Sequence, residues 1–270
     1  MAKEDQGTDL LLRFEIQHIP TQYLPYYEAR RQNFFASIQG FPELWRMFMA
    51  LDAIWLREFD DLKPMNDPNR LFPIMVYVSA HAKTRLSIEL AFSACLGEAR
   101  SILRDGIESV AHAHVMLQDP QLQKVWLSKD DGKAEEKAFA EAFLKNKADR
   151  LFKGLKELHD KFGELSETGS HTTLMSMVGR LSFETSSTGM TFNMLYTGME
   201  PAMLETMIFT MLLTCFVKEE TFYKDYEDRL KLDPTLSKMR KEFANLKERL
   251  RREIIIKHKI QPPPSILPKR

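Results

Sequence analysis

The chain has 270 residues, 44% of them hydrophobic, and equal numbers of basic and acidic side chains, 38 of each. This apolar fraction supports a folded core and excludes wholesale disorder, while 11 Gly and 13 Pro exclude collagen-like and low-complexity classes. Cys95 and Cys215 lie 120 residues apart in apolar runs, which is neither a disulfide framework nor a zinc spacing. We therefore expect both cysteines to be buried thiols in a reducing compartment.

The first ten residues, MAKEDQGTDL, lack the basic and apolar regions of a signal peptide. The longest apolar stretch, Ala202 to Val217, contains Glu205 and is shorter than the ~20 residues that a membrane span needs. It predicts a buried core helix in a cytoplasmic protein without membrane contact.

Helical periodicity dominates the pattern and predicts an all-α fold, a helical bundle around one or two long central helices. We divide the chain into an N-terminal segment of irregular structure or short helix, a helical core domain, a basic C-terminal helix and a Pro-rich tail. Their bounds are 1–40, 41–232, 233–260 and 261–270.

In chain order, a helix begins near Phe41 with Pro42 in its first turn, and three prolines make residues 60–73 a loop. The proline-free stretch 74–118 predicts one long helix bent at Gly97, because a single glycine is too short for an antiparallel connection.

A short helix carrying Trp126 follows Asp119-Pro120, and charged amphipathic helices follow over 134–147 and 149–165. Residues 182–196 form either a small β-hairpin or an irregular arm. The last helix starts at Asp233-Pro234 and ends near Ile256.

Basic charge is concentrated at the C-terminal end: 11 Lys or Arg against 4 Asp or Glu from Asp233 onward, a net charge of +7. The remaining residues carry 27 basic and 34 acidic side chains, a net charge of −7. Two interpretations remain open, a helix docked on an acidic body and a basic arm for nucleic acid or anionic lipid.

Arg104, Glu108 and His112 fall on one helical stripe at i, i+4 and i+8, and His81, Arg85 and Glu89 repeat this spacing. Buried charges must be paired, so the first stripe is either a structural network or an Arg/His site for a phosphate-containing ligand or RNA. A metal site at Glu108 and His112 is a third alternative. His114, on the apolar face, predicts a hydrogen-bonded core histidine.

Ser170 and His171 are an anion or phosphate candidate, because Ser170 fits the N-cap of a helix starting at His171. An ordinary cap is the alternative. P-loop, dinucleotide, nucleophile-elbow and kinase signatures are absent from the sequence, and nothing in it calls for a cofactor or a bound metal.

The segments LGEARSILRDGIESVAHAHVML and LKELHDKFGELSETGSHTTL resemble HEPN-like all-helical domains, especially their uncharacterised bacterial branch, over about residues 75–220. The resemblance implies an all-α bundle, often dimeric, associated with RNA or with defence and toxin systems. Active ribonucleases of this superfamily carry Arg, a polar residue and then His on one helix. Arg104 and Asp105 fit that start, but His112 follows at a longer spacing and Ser109 stands where the histidine is usual.

Two functions follow as hypotheses. The first is a non-enzymatic binding or interaction module for RNA or a protein partner, because no strong catalytic motif accompanies the helical core. The second is a metal-independent endoribonuclease that uses Arg104 and His112, with Glu108 orienting them. We expect the second to need an accessible cleft, at a homodimer interface.

Overall fold

A computed structural model describes residues 20–167, 181–186, 189–194 and 200–259. The fold is all-α, as predicted. A 3₁₀ turn at Thr21–Tyr23 precedes the first helix, and a π-helical segment, Ala140–Leu144, follows α6. The helices are α1 (Leu24–Gly40), α2 (Pro42–Leu62), α3 (Pro68–Phe92), α4 (Leu96–Gln118), α5 (Gln121–Leu127), α6 (Lys133–Phe139), α7 (Lys156–Leu165), α8 (Pro201–Asp225), α9 (Glu227–Leu230) and α10 (Pro234–His258).

The centre of the bundle is an antiparallel hairpin of α3 and α4, and α2, α8 and α7 pack around it. The predicted single helix over 74–118 is therefore wrong, and so is the bend at Gly97, which lies in the first turn of α4. The chain reverses at Ala94, whose φ is +58°, and Cys95 N donates to Leu90 O at 2.9 Å. This bond closes a Schellman-type cap, which ends α3 without a glycine.

Prolines take helical positions at the start of α3, so the predicted loop over 60–73 shrinks to the residues between Leu62 and Pro68. Pro68 follows the N-cap Asp67, whose carboxylate accepts from Asn69 N. Pro73 lies inside α3 and cannot donate to the carbonyl of Asn69. Gln123 Nε2 donates to that carbonyl instead, at 2.7 Å.

Two other segments differ from the prediction. Leu24–Gly40 is a 17-residue helix within the N-terminal segment 1–40, because Pro25 fits its first turn and Phe34 and Ile38 pack on the core. The helix predicted over 149–165 begins only at Lys156. The turns before it bury Leu151 and Phe152.

A hairpin was one of the two alternatives for residues 182–196, and the described backbone of 181–186 and 189–194 forms it. Strands β1 (Leu181–Ser186) and β2 (Gly189–Met194) pair antiparallel, with Leu181 opposite Met194 and Phe183 opposite Phe192. The tail 261–270 lies outside the described residues.

Helix α8 contains the predicted core helix over 202–217 and extends it to Asp225. By length and composition α8 could cross a membrane, with a mean hydropathy of 1.4, but half of its apolar window is buried inside the bundle. Ile208, Leu212, Cys215 and Phe222 on this helix have no exposed area. Core helices pass the same composition test, so the absence of membrane contact and the cytoplasmic location both stay predictions. Cys95 and Cys215 are both buried free thiols, as expected.

The basic helix α10 is docked on the body, mainly against α2. Leu236, Phe243, Leu250 and Ile254 form its buried face. Its N-cap is Asp233, as the Asp-Pro signal predicted. Of the two interpretations of its charge, the described contacts favour docking on an acidic body.

A lysine lies in the centre of the core. Lys218 is completely buried, and its Nζ donates to Thr84 Oγ1 at 2.5 Å and to Ala80 O at 3.1 Å. Burial lowers the pKa of this ammonium to about 8. Gly106 on α4 faces the same Nζ, and a β-carbon there would overlap it. The glycine therefore provides the space that this charge occupies.

Candidate functional site

The predicted stripe of Arg104, Glu108 and His112 lies on one side of α4, and the segment from α6 to the end of α7 covers it. Arg104 Nε donates to Ser166 Oγ at 2.8 Å, and its guanidinium lies 4.6 Å from the ring centre of Phe162. Glu108 Oε1 accepts from Lys147 Nζ at 2.5 Å. Arg104 and Glu108 are thus each engaged by the segment that packs over them.

His112 completes the stripe but makes aromatic rather than polar contacts. Its ring meets the rings of Phe143 and Phe139 edge-on, at centroid distances of 5.0 and 6.3 Å. Its Nε2 is buried and has no hydrogen-bond partner in the described structure. Burial lowers the pKa of His112 to about 4, so the imidazole is neutral at pH 7. A neutral imidazole cannot act as the general acid of an RNA-cleaving pair.

The side chains of the second stripe, His81, Arg85 and Glu89, also contact other charged side chains of the protein. His81 Nε2 and Arg85 Nε lie 2.8 and 2.6 Å from Asp52 Oδ1, whereas Glu89 lies 3.9 Å from Arg30. Burial raises the pKa of Asp52, but the hydrogen bonds from Arg85 and His81 outweigh it and hold that pKa well below its usual value. This cluster ties α3 to α2.

The remaining candidates have different outcomes. Ser170 and His171 lie outside the described residues. Within the described residues, no group of three or more His, Cys, Asp or Glu side chains could hold a metal ion. The metal alternative at Glu108 and His112 therefore gains no further ligand from the part of the chain that the structure describes.

A groove on another side of α4 was not predicted as a site. We call it the α7–α8–α10 groove, after the helices that form it, and its volume is about 700 Å³. His114 from α4 lies at its edge, with Nδ1 2.8 Å from Asp225 Oδ1 and Nε2 2.7 Å from the amide nitrogen of Gln118. Tyr77 donates its hydroxyl to the other oxygen of Asp225.

Both ring nitrogens of His114 are therefore bonded within the protein, as the prediction of a hydrogen-bonded core histidine requires. Asp225 lies 111 residues further along the chain, so no local spacing could have predicted this pair. The His114–Asp225 pair links α4 to α8 and leaves no ring nitrogen free for acid–base chemistry.

The floor of the α7–α8–α10 groove is apolar and its rim carries charges of both signs. Leu213, Phe216 and Val217 of α8 form the floor, with Leu155 and Leu158 at the α7 side. The basic side chains of the rim are Lys156, Lys161, Lys224, Lys247 and Arg251, and the acidic ones are Glu157, Glu220, Asp225 and Glu248.

Four of the five rim cations lie within 4.0 Å of a carboxylate. Lys156 and Lys161 each lie 2.8 Å from a carboxylate on α7, and Lys224 and Arg251 lie 3.9 and 4.0 Å from carboxylates on their own helices. Lys247 Nζ lies 3.9 Å from the ring centre of Phe216. The groove is therefore an apolar cleft with a charge-balanced rim rather than a polyanion site.

Comparison with known proteins gave no match to a family model, a curated protein or a solved structure. The resemblance to HEPN-like domains accordingly stays a prediction.

Proposed function

We propose that the protein is a non-enzymatic interaction module that binds an amphipathic helix of a protein partner in the α7–α8–α10 groove. The observation that carries the proposal is the groove itself, with a volume of about 700 Å³, an apolar floor on α8 and a rim of both charge signs. Helices that dock in grooves place apolar anchors on the floor and polar residues at the rim. This geometry suits such a ligand.

The charge distribution favours a protein partner over RNA. Two basic residues of α10 are paired with carboxylates of the body: Arg249 pairs with Glu43, and Lys257 Nζ lies 2.6 Å from Glu205. Because RNA affinity depends on cations that are free to displace counterions, paired cations contribute little to it.

The surroundings of Arg104 and His112 make the ribonuclease hypothesis weaker than the binding hypothesis. Arg104 is engaged by Ser166 and Phe162, and His112 is neutral at pH 7 because burial lowers its pKa to about 4. Cleavage of a single-stranded RNA by the wild type, abolished by Arg104→Ala or His112→Ala in a folded protein, would revive it.

The test is selection of helical peptides from a displayed library of random amphipathic 15-residue sequences, followed by fluorescence anisotropy on the enriched peptides. We expect Leu213→Asp, in the floor, to weaken their binding at least tenfold, because a carboxylate would have to be desolvated there. Leu56→Asp, the same change at an exposed position on α2, should leave the affinity unchanged.

The proposal is wrong if no peptide is enriched, or if the enriched peptides bind Leu213→Asp as tightly as the wild type. A 20-nucleotide RNA that binds at 150 mM salt and competes with the peptides would show that the groove is a nucleic-acid site instead.

The homodimer implied by the family resemblance stays a prediction. Leu71, Met75, Val78 and Leu86 remain exposed on one face of α3, and exposed apolar stripes of this kind mark contact surfaces. Static light scattering should give twice the chain mass of 31.5 kDa, and a value of 31.5 kDa would contradict it.

A further inference from the structure

A second groove, separate from the one above, lies over the α3–α4 hairpin and has His112 in its wall. We call it the His112 groove; its volume is about 510 Å³, which is within the range of small-molecule sites. Its lining includes Phe72, Lys83, His112, Trp126, Lys129 and Phe139. His112 and His114 are two positions apart on α4, about 200° around the helix, so the two grooves lie on different sides of it.

The first feature that indicates a ligand is an unsatisfied polar atom. Nε2 of His112 is buried without a hydrogen-bond partner in the described structure. A buried nitrogen in that state is destabilising, which is why nearly all such atoms are paired in folded proteins. A ligand group that reaches this nitrogen through a shift of the surrounding side chains would satisfy it.

The second feature is a pair of half-buried ammonium groups. Lys129 Nζ lies 4.7 Å from the ring centre of Trp126 and 5.7 Å from that of Phe139. Lys83 Nζ donates to Ser109 Oγ at 3.0 Å and to the backbone oxygen of Asp105 at 3.5 Å.

The carboxylates nearby do not neutralise these cations. Glu108 is bound to Lys147, and Asp105 is exposed and offers Lys83 only its backbone oxygen. Among the described contacts, Lys83 and Lys129 have no ion pair with a carboxylate, unlike most cations of the α7–α8–α10 rim. Two unneutralised cations in one groove favour an anionic ligand.

The third feature is an aromatic wall. Phe72 and Trp126 pack edge-to-face at a centroid distance of 5.5 Å, and the ring centre of Phe139 lies 5.7 Å from Lys129 Nζ. Flat apolar rings bind other flat rings by stacking or edge contact. From these three features we propose that the His112 groove is a binding site for a small organic anion, an aromatic ring that carries a carboxylate or phosphate group.

Isothermal titration calorimetry on the full chain tests this with two whole probes, adenosine 5′-monophosphate and indole-3-acetate. Inorganic phosphate and adenosine are the halves of the first probe, and acetate and indole are the halves of the second. We expect at least one whole probe to bind with a Kd below 1 mM and each half at least tenfold more weakly. Binding of adenosine 5′-monophosphate would identify the anion as a nucleotide, and binding of indole-3-acetate would identify it as an aromatic carboxylate.

Variants locate the site. Lys129→Ala should weaken binding at least tenfold, whereas Lys124→Ala, an exposed lysine on the neighbouring α5, should not change it. His112→Phe keeps a ring against Phe143 and removes both nitrogens. It should weaken binding while the melting temperature stays level or rises, a combination that a purely structural histidine would not produce.

The proposal is overturned if neither whole probe binds with a Kd below 1 mM, or if Lys129→Ala leaves the Kd of the bound probe unchanged. Peptide binding in the α7–α8–α10 groove is measured separately, and the Leu213→Asp variant should bind these small probes normally. Failure of one proposal therefore leaves the other standing.

Discussion

Lys218 places a charge where a hydrophobic side chain would be expected, in the middle of the apolar helix α8. Below pH 8 the folded protein carries the full cost of this buried ammonium, about 3 kcal/mol from the lowering of its pKa to about 8. Replacement of a buried charge by an apolar side chain of similar length is often stabilising. We expect Lys218→Met to raise the free energy of unfolding by about 2 kcal/mol at pH 7.

The pH dependence of that gain has a definite sign. The pKa of Lys218 is lower in the folded than in the unfolded chain, so the cost falls as pH rises above 8. Urea unfolding at pH 7 and pH 9 should therefore show a smaller gain for Lys218→Met at pH 9. Lys224→Met, an exposed lysine on the same helix, should change stability little at either pH. A gain that grows with pH would contradict the assignment of the cost to this ammonium.

Gly106 and Lys218 depend on each other. A β-carbon at position 106 would overlap Lys218 Nζ, which cannot retreat because Thr84 and Ala80 hold it. We expect Gly106→Ala to destabilise the wild type by about 2 kcal/mol through overpacking. In a Lys218→Ala background the same change should stabilise by about 1 kcal/mol, because alanine is the better helix former. A double-mutant cycle by urea unfolding measures this coupling, and equal effects in both backgrounds would refute it.

Helix periodicity and Asp-Pro signals predicted α2 and α10 to within a few residues, and turn residues indicated the hairpin of β1 and β2 as one of two alternatives. They could not predict the α3–α4 turn, because the left-handed position carries Ala94 instead of the usual glycine. Nor could they place Pro73 inside α3. The carbonyl that this proline leaves free is satisfied by Gln123, 54 positions from Asn69, and only the fold brings those residues together.

The candidate site was also predicted only in part from the sequence. A 3.6-residue period correctly placed Arg104, Glu108 and His112 on one side of α4. Which residues cover that side depends on packing of the segment up to Ser166, which has no local signal. The His114–Asp225 pair has no local signal either, because its two residues lie 111 positions apart.

The α3–α4 turn makes its own prediction. A non-glycine residue in the left-handed region costs about 1–2 kcal/mol, part of which glycine recovers at the expense of chain entropy and a buried methyl group. We expect Ala94→Gly to raise the free energy of unfolding by about 0.5–1 kcal/mol. Ala82→Gly, the same change at an exposed position inside α3, should lower it by about 1 kcal/mol. Urea denaturation compares the two, and a loss at both positions would count against the cap.

One arginine joins three helices from distant parts of the chain. Arg240 of α10 lies 3.2 Å from Glu58 on α2 and 2.7 Å from Glu220 on α8, and it also pairs with Glu219. Glu58 and Glu219 are completely buried, and the guanidinium lies 3.8 Å from the ring centre of Tyr223. The docking of the basic helix thus depends on a buried ionic cluster as well as on its apolar face.

Removal of the guanidinium would leave two buried carboxylates uncompensated. Burial already holds the pKa of Glu58 well above its usual value, against the opposing effect of Arg240, and nearby Asp61 and Glu220 raise it further. We expect Arg240→Met to lower the free energy of unfolding by more than about 3 kcal/mol at pH 8.

The loss should be smaller at pH 5. A carboxyl whose pKa is raised by folding holds its proton to a higher pH in the folded chain than in the unfolded chain. Stability therefore falls as pH rises from the unfolded-state pKa to the folded-state pKa. At pH 5 the folded variant can protonate Glu58 and avoid most of the buried charge. Arg251→Met, an exposed arginine on the same helix, should change stability by less than about 0.5 kcal/mol at either pH. Urea unfolding at both pH values decides the matter, because an equal loss at pH 5 and pH 8 would mean that Arg240 acts through packing rather than through the buried carboxylates.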